Sequence, residues 1–261
     1  PEQRLSKSQH TLRQFLAKLG KTTLRPGGID ATAWLIEQAN IKSDTKILEV
    51  ACNMGRTMIQ LSKKFGCKIT GVDLDKDALK KAEANIKKNH LEDKLTLIHG
   101  DALALPFEDA SFDIVVNEAM LTMLIGDKKD KALKEYFRVL KPGGLLLTHD
   151  VALRTSDPAA QKELRSALSK AINVSVEPLD AAGWETLFRK NGFSVTQKCG
   201  DMTLMSPRGM IHDEGLAGAL KIIRNAMKKE NKAMSRQMFR FFNGHKKELA
   251  YICSVGTKNK V

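Results

Sequence analysis

The chain of 261 residues is 42% hydrophobic, which suffices for one sizeable core and excludes disorder as its general state. Its four cysteines, Cys52, Cys67, Cys199 and Cys253, stand singly without Cys-x-x-Cys spacing, so neither a metal site nor a disulfide framework is indicated. The formal net charge of +13 allows attraction to nucleic acid, an anionic membrane or an acidic substrate, but Lys80-Lys81, Lys87-Lys88 and Lys128-Lys129 fall on predicted helix faces and read as solvated.

The first residues, Pro1-Glu-Gln-Arg-Leu-Ser-Lys, are polar, and no run approaches the length of a membrane span, so a cytoplasmic protein with reduced, buried cysteines is expected. Leu5 to Leu19 predicts an amphipathic helix with Leu12, Phe15, Leu16 and Leu19 on one side. Arg25-Pro-Gly-Gly28 cannot continue it, and its glycines permit a backbone held close to another group. A second helix, Asp30 to Ala39, leads to Lys46-Ile-Leu-Glu-Val-Ala-Cys-Asn-Met-Gly-Arg-Thr57.

That stretch organises the chain. Ile47, Leu48, Val50 and Ala51 form the short apolar run of a central parallel strand covered on both faces. Ala51, Asn53 and Gly55 then shrink the alternate positions, so the backbone can turn sharply and pass close to a ligand. Met58, Ile59, Leu61 and Phe65 continue at helical spacing to a stop at Gly66. The next strand ends at Asp73, about 20 residues on, where a carboxylate can reach ribose hydroxyls in a doubly wound sheet. On this stretch alone a nicotinamide and another adenosine cofactor both remain open.

Asp75 caps a predicted helix through Asn89, Leu95 to His99 is a third strand followed by Asp101, and Phe112 to Asn117 is a fourth. Glu49, Asp73, Asp101 and Asn117 thus lie at four strand ends, the edge where open parallel sheets bind ligands. A helix from Asp127 to Leu140, a Lys141-Pro-Gly-Gly144 turn and a fifth strand, Leu145 to Asp150, complete a strand–helix alternation that specifies right-handed crossovers. Asp157-Pro158 and Asp180 open two further helices, and Phe193 to Lys198 is a sixth strand. Gly200 to Lys247 then inserts a helical segment before a last strand, Leu249 to Val255. Its apolar residues Leu216, Leu220, Ile223 and Met227, and Met234, Met238, Phe241 and Phe242, recur at helical spacing and predict a helical pair packed on the core, doubling as a lid or substrate wall.

Gly100-Asp-Ala-Leu-Ala-Leu-Pro-Phe-Glu-Asp-Ala-Ser-Phe-Asp-Ile-Val115, with Val139-Leu-Lys-Pro-Gly-Gly144, resembles the class I S-adenosylmethionine-dependent methyltransferases, in the branch that acts on quinones, sterols and other small molecules. The resemblance covers Arg25 to Asp150 well and the rest in overall layout. It implies an α/β fold with a doubly wound, mostly parallel seven-stranded sheet, Rossmann-like, with N-terminal helices (residues 1–45) over the cofactor edge. The methyltransferase domain then occupies 46–261, including the 200–247 insertion. It implies S-adenosylmethionine as cofactor and a small-molecule methyl acceptor. By position it makes Glu49 the acid near the methionine end, Ala51, Asn53 and Gly55 the three glycine positions, Asp73 the ribose ligand and Leu74 its neighbour beside the adenine. Asp101 and Ala102 become the adenine contacts and Asn117 the residue near the transferable methyl; Gly28, in the matched span, is counted with this cofactor set. Two of the three family glycines are replaced, and Glu118-Ala-Met-Leu-Thr-Met-Leu124 lacks the histidine the branch often carries after the fourth strand.

Because the sulfonium methyl is already electrophilic, alignment in a water-poor pocket is the main requirement. Glu118 and His149 are the nearest candidate bases, each equally readable as a surface acid and as a strand-end histidine bonded to backbone, so no catalytic residue is named. Methylation of RNA through the basic surface is the rival for substrate, weakened by an aromatic content of 5%. A protein that binds the cofactor without methyl transfer is the rival in kind.

Overall fold

The structure is a computed structural model that describes residues 15–259. Its centre is one sheet of strands β1 (Ile47–Val50), β2 (Ile69–Asp73), β3 (Leu95–His99), β4 (Phe112–Glu118), β5 (Leu140–Leu153), β6 (Leu179–Asp180), β7 (Phe193–Asp201) and β8 (Leu249–Lys258). The seven expected strands run in the order β3-β2-β1-β4-β5-β8-β7, and the two-residue β6 adds an eighth beside β5. Pairing is parallel except around β8, which runs antiparallel to both β5 and β7. The strand order reverses between β1 and β4, so their carboxyl ends diverge around the crevice in which such sheets take ligands.

The helices are α1 (Gly28–Glu37), α2 (Arg56–Phe65), α3 (Lys76–Lys88), α4 (Lys128–Val139), α5 (Pro158–Ile172), α6 (Ala181–Lys190), α7 (Pro207–Ala226) and α8 (Lys229–Gly244). The expected first helix falls mostly outside the described residues; 15–19 are helical, with Leu16 and Leu19 buried. The expected caps form: Asp75, Asp157 and Asp180 each accept a first-turn N–H, and Gly66 ends α2 at φ 74°. Alternation along the strands divides the core. Ile47, Ile69, Ile114, Val116 and Leu147 pack under α1, α2 and α3, while Leu48, Val50, Val72, Val115 and Leu146 pack under α4 and α6.

Four expectations are corrected. Leu216, Leu220, Ile223 and Met227 of α7 face solvent instead of the core, whereas Ala219 and Ile222 are buried against Leu19 and Met210. The periodicity was that of a helix face, and periodicity alone does not say which face is covered. Lys129 is buried, not solvated, its Nζ 2.9 Å from Glu177 Oε2 and donating also to the Leu124 carbonyl. Cys199 is exposed while the other three cysteines are buried. The fifth strand begins at Leu140, because the Lys141-Pro-Gly-Gly144 segment stays extended beside β4 through an irregularity between Phe112 and Ile114.

Candidate cofactor and acceptor site

The turn after β1 is built on three left-handed residues, Ala51 (φ 60°), Asn53 (φ 50°) and Gly55 (φ 73°). These are the three positions where the resemblance expects glycine, so the glycine conformation persists although two glycines do not. Asparagine tolerates that region; alanine is strained there by roughly 1–2 kcal/mol. Ala51→Gly is therefore expected to raise stability by about 0.5–1 kcal/mol, after glycine's larger chain entropy is subtracted. A higher urea midpoint at unchanged slope would show it.

The turn leans on the neighbouring strand ends. Asn53 N–H donates to Asp73 Oδ2 at 2.8 Å, Asp73 Oδ1 accepts from Asp75 N–H at 2.9 Å, and Asn117 Nδ2 donates to the Val50 carbonyl at 3.0 Å. Leu74, beside Asp73, is half exposed. Gly100 N–H reaches the Asp73 carbonyl, and Asp101 Oδ1 accepts from Leu103 N–H, which puts Asp101 and the buried Ala102 on the loop next along the same edge. Nine of the ten expected residues therefore lie at the carboxyl ends of β1, β2 and β4 or in the loops that follow β1, β2 and β3. Gly28 lies apart, at the start of α1, where an added Cβ would meet Asp213 Oδ1 at 2.5 Å.

Beneath the turn is a buried polar cluster. Glu118 is buried, not a surface acid: its Oε2 takes Arg25 Nε at 2.9 Å and the Thr57 hydroxyl at 3.1 Å, and its Oε1 takes the Thr32 hydroxyl and faces His149 Nδ1 at 3.5 Å. Arg25 also donates to Thr32 at 3.1 Å and to Thr57. His149 Nε2 accepts the Gly27 N–H at 2.9 Å, so its proton sits on Nδ1, toward Glu118 and Thr32. Burial holds the histidine below its ordinary pKa, hence neutral. Against the cost of burial, Arg25, His149 and Thr32 hold the Glu118 carboxyl down to about 2. Both candidate bases are thus engaged on every polar atom; the histidine is bonded to backbone as foreseen, though it lies within β5, which runs on to Leu153, and not at its end.

Glu49, on the β1 face that meets α2, has the opposite fate. Burial and the nearby Glu118 charge push it up to about 8, while Arg25, Thr57 and the Met58 N–H only partly oppose this. One guanidinium serves two carboxyls, and the closer one keeps it. Glu49 Oε2 and Asn117 Oδ1 are buried without a hydrogen-bond partner. An unpartnered carboxyl oxygen and an unpartnered amide oxygen at the switch point are the chemistry that a ligand bearing an ammonium group would complete, the carboxyl giving up its proton to do so.

A strap absent from the sequence expectations holds this edge. Glu214 Oε1 accepts the N–H groups of Thr22 and Thr23 at 2.9 and 2.7 Å, Asp213 Oδ1 accepts that of Ile29 at 3.0 Å, and Lys21 Nζ lies 3.9 Å from both acids. Gly27 passes so close to Tyr251 that a Cβ would sit 2.6 Å from its ring. The only signal in the sequence was an acidic pair set in an otherwise apolar segment.

On the far side of Ala119, just past β4, lies a narrow cavity of about 60 Å³ whose walls include Leu24, Met123, Leu168, Val176, Leu204 and Phe242. Through Met202 and Phe242 it adjoins an open groove of about 1200 Å³ between the ends of β5 and β7 and helices α7 and α8. Among the described residues no group of three or more histidine, cysteine, aspartate or glutamate side chains could hold a metal ion, and no helix is long and apolar enough to cross a membrane.

A doubly wound sheet with this strand order, a left-handed turn after β1 and acids at successive strand ends has the layout of the nucleotide-binding folds. Residues 47–144 match the family described as a methyltransferase domain. A protein of Haemophilus influenzae, described as uncharacterized, is 56% identical over 243 residues, covering 92% of this chain and 96% of its own length. Methyltransferase GfsG of Streptomyces halstedii is 29% identical over 67% of this chain, which spans 62% of that protein. Among solved structures, phosphoethanolamine N-methyltransferase 2 of Haemonchus contortus, in complex with S-adenosylhomocysteine, superposes with a TM-score of 0.72 at 20% identity, over 95% of this chain and 57% of the other. Residues 47–144 are thus a methyltransferase domain, in a chain with the fold of the class I S-adenosylmethionine-dependent methyltransferases.

Proposed function

We propose that the protein methylates a small, largely apolar acceptor, drawn into the narrow cavity beside Ala119 with its remainder in the open groove. The apolar walls of that cavity, next to the switch point, are the observation that carries this reading. In it Glu49 and Asn117 take the amino-acid end of the cofactor, Asp73 the ribose and Leu74, Asp101 and Ala102 the adenine. Ala51, Asn53 and Gly55 let the backbone approach. Gly28 acts indirectly, by letting the strap close against Asp213.

The bound cofactor supplies an electrophilic methyl group. The chain's own part is to align the acceptor in line with it and exclude water, and the α7–α8 insertion serves as the wall. Neither Glu118 nor His149 takes up a proton in this scheme, since each is committed to the buried cluster.

Calorimetric titration with S-adenosylhomocysteine tests the cofactor side: Asp73→Ala is expected to weaken binding about tenfold or more, the loss of charged hydrogen bonds to ribose. Turnover of labelled methyl donor with acceptor pools tests the other side. Met202→Trp, which fills the junction between cavity and groove, is expected to lower turnover on apolar acceptors while leaving cofactor affinity unchanged. Turnover confined to polar acceptors, or indifferent to Met202→Trp, overturns the proposal.

A further inference from the structure

The exposed face of α7 is apolar over three turns. Leu216, Leu220, Ile223 and Met227 are 64%, 59%, 45% and 69% exposed and follow one another at steps of four, three and four residues, so they form one continuous stripe. The helix that carries them is not loose. Ala219 and Ile222 pack with Leu19 and Met210, Asn225 Nδ2 donates to the Leu19 carbonyl at 3.0 Å, and Asn231 Nδ2 donates to the Asn225 carbonyl at 2.9 Å. Between the acid pair and the stripe, Gly215 leaves the helical conformation at φ 71° and ψ 169°, a region only glycine occupies readily. That break separates the clamp from the stripe, so Ala219 and Ile222 turn inward and the four large side chains turn outward.

Cations stand on this helix and just past its end: Lys221 and Arg224 on α7, Lys228 in the junction, and Lys229 and Lys232 in the first turn of α8. From Leu216 to Lys232 there are five cations, Lys221, Arg224, Lys228, Lys229 and Lys232, and one acid, Glu230. All five cations are exposed, and none forms an ion pair among the described residues. A rigid helix with a continuous apolar stripe and cations on it and just past its end matches the pattern of an interfacial helix, whose apolar side enters the headgroup boundary while lysines and arginines meet anionic lipid. A second copy is a poorer occupant, since a two-fold contact through this face would bring two sets of five cations together in a molecule whose net charge is already +13.

We propose that the outer face of α7 seats this protein on an anionic bilayer surface. Leu216, Leu220, Ile223 and Met227 enter the headgroup region, and Lys221, Arg224, Lys228, Lys229 and Lys232 pair with lipid phosphates. The proposal stands independently of the acceptor's identity.

Co-sedimentation of the full chain with phosphatidylcholine vesicles, with and without phosphatidylglycerol, tests it. Binding is expected only when phosphatidylglycerol is present, and it should weaken as salt is raised. The double substitution Leu220→Glu with Ile223→Glu should reduce binding about tenfold or more, and Arg224→Glu with Lys228→Glu should do the same. All four positions are exposed, so circular dichroism and affinity for S-adenosylhomocysteine should stay at wild-type values in both variants. Absence of binding to phosphatidylglycerol vesicles overturns the proposal, as does binding that survives both double substitutions. A concentration-dependent dimer in ultracentrifugation that Leu220→Glu with Ile223→Glu dissociates, with no vesicle binding, overturns it in favour of a second copy.

Discussion

Replacing Glu118 with alanine is expected to cost roughly 3–5 kcal/mol of folding stability, the usual penalty for stranding a buried charge. Arg25 would lose the carboxylate 2.9 Å from its Nε, and Thr32, Thr57 and His149 would lose their shared acceptor. Urea denaturation is the direct measurement. Arg25→Met with Glu118→Leu, which removes both charges together, should recover much of the loss, as buried ion pairs commonly do when replaced whole. The pH dependence has a definite sign. Folding holds the Glu118 pKa down from 4.5 to about 2, so its stabilisation is present above the ordinary carboxylate value and disappears as pH falls toward 2. The wild-type protein should therefore lose stability across that acid range, and Glu118→Ala should lack this component. An alanine variant as stable as wild type would mean that the cluster does not carry the strap.

Glu49 predicts the opposite slope. Its carboxyl is raised from 4.5 to about 8, so the folded chain holds a proton that the unfolded chain releases, and this contribution, full below the ordinary value, declines as pH climbs toward 8. A ligand ammonium placed against the unpaired Oε2 would favour the charged form and expel that proton. Binding of S-adenosylhomocysteine near neutral pH is expected to release close to one proton, read from calorimetry in buffers of different ionisation enthalpy, and affinity should rise with pH up to about 8. Glu49→Gln should abolish the proton release and weaken binding roughly tenfold to a hundredfold, the worth of a charged hydrogen bond. Proton release unchanged in Glu49→Gln would assign it to another group.

The residues that could be read from the chain were those whose signal is local. Strand identity followed from apolar runs, helix starts from Asp75, Asp157 and Asp180, and the strand-end acids from their spacing. The left-handed turn was legible because alanine, asparagine and glycine fell on alternate positions. What escaped was set by distant pairing. Glu118 read as a surface acid because nothing near it in the chain announces Arg25, 93 positions earlier, and Lys129 read as solvated because Glu177 lies 48 residues away. The strap's clamp joins Thr22 to Glu214 across 192 positions. The outward stripe of α7 had the correct period, but its direction depends on a single backbone break at Gly215 and on which neighbours cover the other side.

The antiparallel strand β8 has a consequence for the order of assembly. It sits between β5 and β7 over nine paired residues on each side, yet every other described element precedes it. During synthesis β5 therefore presents an open hydrogen-bonding edge, and β7 lacks its partner, until β8 emerges from the ribosome. Such an edge is a template for wrong pairing, and closing it requires contacts across 96 to 112 residues, which form slowly. The half of the sheet that holds the cofactor turn, β1 to β4, needs none of this and can form first. The nascent chain should thus pass through a stage with an assembled cofactor edge and an unfinished acceptor wall, when early cofactor binding would favour the folded half by mass action.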